Sequence, residues 1–126
     1  MAKSVQISES EWRICKVLWR KSPLTANEII AQLKHSSDWS PRTIKTMLNR
    51  LVKKAALSYE SIGREYHYFP RISEEECIAS YTQSFVERIF GGEAGAMVAA
   101  FIKQQRLSDR EIAALKAILE EKSLDT

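Results

Sequence analysis

Cysteine is scarce in this chain. Its 126 residues hold two, Cys15 and Cys77, too few for a disulfide scaffold and in no C-x-x-C pair. Histidine is as scarce, and His35 and His67 stand far from either cysteine along the chain. A structural zinc site takes about four such ligands. No metal site is therefore expected, and both thiols are expected to be packed. Glycine (4) and proline (3) are too few for a linker or a fibrous protein. No apolar run approaches the ~18 residues of a membrane span, so no membrane insertion is expected. The start, Met1 to Gln6, lacks the apolar core of a secretory leader, which gives a cytoplasmic expectation. There is no Gly-rich phosphate loop and no Ser-His-Asp set, so neither an enzyme nor a cofactor is expected. The acids Glu74-Glu75-Glu76 and Glu120-Glu121 read as helix surface rather than as a carboxylate dyad.

What is present describes a folded domain, 44% hydrophobic and 28% charged. The net charge of +3 hides an asymmetry. Residues 1–71 carry 13 Lys/Arg against 6 Asp/Glu, a net of +7. Residues 72–126 carry 6 against 10, a net of −4. A basic module for a polyanion joined to an acidic module with another task would look like this. Chance clustering of solvated faces would too.

Helix starts are legible. The capping box places Ser or Thr three residues before Glu or Gln and satisfies two orphan amides. It occurs as Ser8/Glu11, Thr25/Glu28, Ser73/Glu76 and Ser108/Glu111, each ahead of an apolar pattern of helical period. The first helix is predicted over about 9–21, with Trp12, Cys15, Leu18 and Trp19 on one stripe flanked by Ile14 and Val17. Ser22-Pro23 stops it. The second is predicted over about 26–34, with Ile29, Ile30 and Leu33 inward. The third opens at Ser40-Pro41 and runs to about Lys54.

Then the period changes. Leu57–Ser61 and Glu65–Phe69 read as strands joined at Ile62-Gly63-Arg64, with Gly63 free to take positive φ and Pro70 ending the ladder. Tyr66, Tyr68 and His67 read as hairpin packing. Three more helices follow, over about 74–90, 94–104 and 109–122, broken at Gly91-Gly92.

Three helices, a hairpin and three helices give the expected fold class: mainly α with a small β-hairpin wing. It is a winged helix-turn-helix over 1–71 followed by a three-helix dimerisation region over 72–126. The last three helices are short for a core of their own. Their apolar residues Ile78, Tyr81, Phe85, Met97, Phe101, Ile112, Leu115 and Leu119 are expected to meet a second copy, as a two-fold homodimer.

The third helix carries the candidate function. Stepping 100° per residue, Ile44, Met47, Leu48 and Leu51 share one face. Arg42, Thr46, Asn49 and Lys53 lie opposite, flanked by Thr43, Lys45 and Arg50. Cations donate to guanine or phosphate, Asn pairs with adenine, and a Thr methyl touches thymine, so this face suits the major groove of double-stranded DNA. Arg64 at the wing tip would reach phosphate or the minor groove, and Thr25 at the start of the second helix would touch the backbone. A solvated polar face is what any surface helix shows. The wing, the preceding helices and the +7 half favour DNA over that reading.

These residues also carry a resemblance. Ile7-Ser8 with Glu11-Trp12 and Leu18-Trp19, Ala26-Asn27, Ile29-Ile30, and above all Trp39 through Thr46 resemble the penicillinase repressor family, the BlaI/MecI type. The likeness continues at Arg50-Leu51, Lys53-Lys54, Tyr66-His67-Tyr68, Gly91-Gly92, Leu107-Ser108, Glu111-Ile112 and Leu115. It implies a homodimeric bacterial repressor on a palindromic operator, with Arg42, Thr43 and Lys45 approaching DNA. It implies control of β-lactamase or penicillin-binding-protein genes, and release by a membrane sensor-protease system that leads to cleavage in the dimerisation region.

Three departures stand out. The family's scissile Asn-Phe falls here on Ala100-Phe101, the candidate cleavage position, with the asparagine absent. A glycine usual after the paired lysines is Ala55, so a left-handed helix end there would be strained, or the helix ends differently. The tail Ser123-Leu124-Asp125-Thr126 lacks the cysteines of copper-responsive relatives. The rival reading is a winged-helix protein-interaction module that touches no nucleic acid.

Overall fold

Each capping box closes around the start of a helix. The computed structural model describes residues 6–124; residues 1–5 and the Asp125-Thr126 end of the tail, read above for a leader and for cysteine, lie outside them. The first helix, α1, is Glu9–Arg20, with the Glu11 amide donating to Ser8 Oγ at 3.1 Å and the Ser8 amide to Glu11 Oε1 at 2.9 Å. It ends before Ser22–Pro23, whose peptide bond is cis. A two-residue strand, β1 (Leu24–Thr25), leads into α2 (Ala26–Leu33), capped by Thr25 and Glu28. The third helix, α3, is Pro41–Lys53, capped by Ser40.

Strands β2 (Leu57–Ile62) and β3 (Glu65–Pro70) form the antiparallel hairpin, in register from Leu57↔Pro70 to Ile62↔Glu65. Ile62 thus belongs to the strand, and Gly63-Arg64 alone makes the turn, with Gly63 at φ 64. This is the two-residue connection whose twist suits a hairpin. The sheet has a third strand that the pattern did not announce: β1 pairs with β3 through Leu24↔Tyr68 and Thr25↔His67, giving the order β1-β3-β2. Then come α4 (Glu74–Phe90), α5 (Ala94–Gln104) and α6 (Asp109–Leu124), with capping boxes at Ser73/Glu76 and Ser108/Glu111.

The end of α3 settles the question at Ala55. Ala55 takes φ 65, its amide donates to Val52 O at 3.0 Å, and the Ala56 amide donates to Leu51 O at 3.0 Å. Those two bonds make a Schellman end, usually built on glycine. Ala56 and Leu51 are fully buried across it, so the tertiary packing holds an alanine in the left-handed region.

The core lies among the first three helices and the sheet. Ile14 and Leu18 of α1, Ile29 of α2, and Ile44, Leu48 and Leu51 of α3 are all at most 1% exposed. Both cysteines are buried in the same cluster, as expected of packed thiols. Burial pushes Cys15 up to about 12 and Cys77 up to about 11, so neither is a thiolate at neutral pH.

The chain divides into two compact units after Thr82, further along than the expected boundary at 71. The start of α4 belongs with the winged helix for three reasons. Trp19 Nε1 donates to Ile72 O at 2.9 Å. Cys77 joins the core. Tyr81 sets its ring edge-on to Trp12, centroids 5.0 Å apart.

Candidate nucleic-acid interface

The candidate face is set by how α3 is fastened. Its apolar side is locked: Ile44, Met47, Leu48 and Leu51 are between 0% and 6% exposed. Its last turn is fastened by charge. Lys54 donates from Nζ to Glu11 Oε1 at 2.6 Å, and Glu11 is only 2% exposed. Burial alone would raise the Glu11 carboxyl. The Lys54 ammonium and the Ser8 amide outweigh it and leave the group below the ordinary carboxylate range. The first turn is fastened through Arg13, whose guanidinium donates to Ser36 O and lies 4.8 Å from the centroid of the Trp39 ring, one residue before the cap.

So held, α3 turns every expected contact residue outward. Arg42, Thr43, Lys45, Thr46, Asn49, Arg50 and Lys53 are all exposed. Among the described residues, none of the four cations Arg42, Lys45, Arg50 and Lys53 forms an ion pair. That separates them from Lys54, which the sequence places beside Lys53 but the fold pairs with Glu11.

The short side chains are partly committed. Thr43 Oγ1 shares a 3.0 Å hydrogen bond with Ser40 Oγ, and Thr46 Oγ1 donates to Arg42 O at 2.9 Å. Thr46 therefore offers a methyl and acceptor lone pairs rather than a free hydroxyl donor. Ser8 and Ser10 join Arg42, Thr43, Thr46 and Arg50 around an open groove of about 370 Å³ between the start of α1 and α3. Ser8 is legible in the sequence only as the cap of α1 and Ser10 carries no pattern, so it is the fold that brings both to this groove.

Arg64 is exposed at the wing tip. On one face of the wing, the exposed rings of Tyr59 and Tyr66 stack with centroids 4.2 Å apart, next to a buried Tyr68. Thr25 does not reach outward: it is 8% exposed and its hydroxyl accepts from the Glu28 amide at 3.2 Å.

The sequence model of the penicillinase repressor family matches residues 7–121. The chain belongs to the penicillinase repressor family. The penicillinase repressor of Bacillus licheniformis is 43% identical over 121 residues, 96% of this chain and 94% of its own. The methicillin resistance regulatory protein MecI of Staphylococcus aureus is 30% identical over 120 residues, 95% of this chain and 98% of its own. The solution structure of the DNA-binding domain of the repressor BlaI, 46% identical, aligns at a TM-score of 0.54 over 60% of this chain and 93% of that one. The Bacillus licheniformis BlaI monomeric form, solved with the blaP half-operator, is again 46% identical, with a TM-score of 0.53 and the same coverage. The winged-helix fold class is the one this repressor family has, and its members are repressors rather than enzymes.

The residues expected at a dimer contact divide. Phe85, Phe101, Ile112 and Leu119 are 43%, 59%, 38% and 58% exposed, and Ile78 is 49% exposed. Met97 and Leu115 are half-buried, and α5 and α6 contain no buried residue. Tyr81 is already packed against Trp12. Ala100 and Phe101 lie inside α5, on a helical backbone. No helix among the described residues is long and apolar enough to cross a membrane.

Proposed function

We propose that this protein is a sequence-specific DNA-binding transcriptional repressor of the cytoplasm that works as a homodimer on a palindromic operator. The outer face of α3 enters the major groove, with Arg42, Lys45, Asn49 and Arg50 toward base edges and Lys53 and Arg64 toward phosphates. The observation that carries this is the set of four exposed, unpaired cations on a helix whose other side is locked into the core. The half-operator bound by the related BlaI supports it. Affinity then comes largely from phosphate contacts and falls with salt.

Two exposed apolar faces meeting across a two-fold axis would hold the half-sites at fixed spacing. The family points to genes of the β-lactamase and penicillin-binding-protein type. Release would act on the dimer. A sensor-protease cutting at Ala100-Phe101 would first have to unwind α5, because the bond lies within a helix.

Selection of bound genomic fragments at moderate salt tests the reading and returns motif, half-site spacing and neighbouring genes together. A palindromic motif is expected. Failure to retain any fragment would leave the interaction-module reading in its place. A neighbouring gene for a membrane protease would support cleavage, and its absence would favour release without it.

A further inference from the structure

Tyr81 stands on the part of α4 that belongs to the first compact unit, and α4 runs on past Thr82 into the second. Three contacts fasten this part of the chain to the winged helix. Trp19 Nε1 donates to Ile72 O at 2.9 Å, just ahead of α4. Cys77 is buried in the core that Cys15 shares. Tyr81 closes the far end, its ring edge-on to Trp12 with centroids 5.0 Å apart, and Trp12 is in turn edge-on to Trp19 at 5.5 Å. All three rings are half-buried and pack against the core.

What Tyr81 holds is the start of α1. Burial raises its hydroxyl above the ordinary range, and hydrogen bonding from the Ile7 backbone works the other way. Ile7 directly precedes the Ser8 cap, and Trp12 directly follows Glu11. Tyr81 thus bears on both ends of the capping box. That same box meets α3 twice. Glu11 Oε1 accepts from Lys54 Nζ at 2.6 Å at the end of α3, and Ser8 shares the open groove with Arg42, Thr46 and Arg50. A carboxylate 2% exposed tolerates little separation from its partner, because an unpaired buried charge is costly. A shift of the first turn of α1 therefore carries the end of α3 with it.

We propose that Tyr81 is a positioning residue for DNA binding: its ring, seated on Trp12, sets the first turn of α1 and, through Glu11 and Lys54, the seat of α3. Tyr81 touches no DNA in this role and acts within one copy of the chain rather than across a dimer contact. Because α4 is one continuous helix, a load on its later turns reaches the outer face of α3 by this route. The role rests on the repressor reading and adds to it a residue outside both α3 and the wing.

Binding to an isolated half-site separates this role from a dimer contact, since one winged helix suffices there. The probe is a duplex carrying a single half of the motif returned by genomic selection, titrated with the full chain in gel shifts. Tyr81→Ala is expected to bind it at least fivefold more weakly. Tyr81→Phe, which keeps the ring, is expected to stay within twofold of the unaltered protein. Tyr81→Leu, which fills much of the space without an aromatic edge, is expected to lose at least threefold and decides the matter where circular dichroism shows Tyr81→Ala unfolded. Phe101→Glu, on the exposed surface of α5, is expected to stay within twofold. Since the path runs through Glu11, Tyr81→Ala/Glu11→Gln is expected to lose no more than about twofold beyond the larger single loss. A loss confined to two-half-site duplexes would return Tyr81 to the dimer contact, and single losses that multiply in the double variant would break the path; either overturns the proposal. Hydrogen exchange supplies an arm that needs no DNA. In Tyr81→Ala the amides of Ala55 and Ala56, which close the end of α3, are expected to exchange at least fivefold faster, and those of β3 within twofold of the unaltered protein. No change at Ala55 and Ala56, or equal acceleration in β3, would overturn the proposal. If the unaltered protein retains no DNA, the repressor reading fails by itself, and exchange still decides whether Tyr81 holds α3.

Discussion

Arg42 and Lys45 stand near the start of α3, where side chains of a recognition helix reach base edges, whereas Arg64 stands on the turn of the wing. The two positions should fail differently. Arg42→Ala or Lys45→Ala is expected to weaken binding to the cognate site by about 1–3 kcal/mol and random DNA by much less, if the side chain reads a base. Arg64→Ala is expected to lower the salt slope by about one with little change in sequence preference. Gel-shift titrations at two salt concentrations separate these, and equal losses on operator and random DNA would refute base reading by the helix pair. Ala55 makes a prediction about stability instead. A left-handed non-glycine residue costs about 1–2 kcal/mol, and glycine's greater freedom in the unfolded chain returns part of that. Ala55→Gly is thus expected to stabilise the protein by roughly 0.5–1 kcal/mol, read as a raised midpoint in urea. Ala55 is exposed and at φ 65, so no packing is lost in the exchange.

Between elements, the Glu11–Lys54 pair joins the first turn of α1 to the end of α3. The mounting of α3 is thereby expected to depend on pH. Because Glu11 titrates below its ordinary range when folded, its contribution is complete above the unfolded carboxylate value, about 4.3, and disappears as pH falls through the folded value. Glu11→Gln is expected to cost about 1–3 kcal/mol at pH 7 and to flatten the loss of stability on acidification below pH 5, as followed by urea melts across pH. A parallel acid dependence in the unaltered protein and in the Gln variant would show that the pair does not matter. The sequence shows Glu11 only as the acid of a capping box; its second partner is 43 residues away. The same limit applies elsewhere. The helices could be read because caps and a 3.6-residue period are local signals, and the outer face of α3 could be read because one period orders both its sides. Strand β1 could not, since two residues have no period, and its pairing with Tyr68 and His67 is set by the fold. Tyr81 sits at a helical spacing shared with Ile78 and Phe85, yet its ring goes to Trp12. Periodicity names a face and leaves open what covers it.

At the scale of the whole molecule, the two halves differ in what they leave unsatisfied. The first leaves cations without partners; the second leaves large apolar side chains uncovered, among them Ile89, Phe101, Ile118 and Leu119, each 58–61% exposed. Large apolar side chains gathered into one such surface would suit an interaction site. If a second copy covers it, the affinity for a palindrome is set by linkage: once one winged helix has landed, the other sees its half-site at high effective concentration, worth about 10²–10⁴-fold. Phe101→Glu places a charge on that surface without touching the core of the winged helix. The unaltered protein is expected to sediment as a dimer and the variant as a monomer. Its affinity for a two-half-site operator should fall by about 10²-fold or more, toward that of a single half-site. Affinity for an isolated half-site should stay within about twofold, because the α3 face is unchanged. A variant that remains dimeric would place the interface elsewhere on α4–α6. A monomer that still bound the full operator tightly would mean that the two winged helices cooperate through the DNA itself.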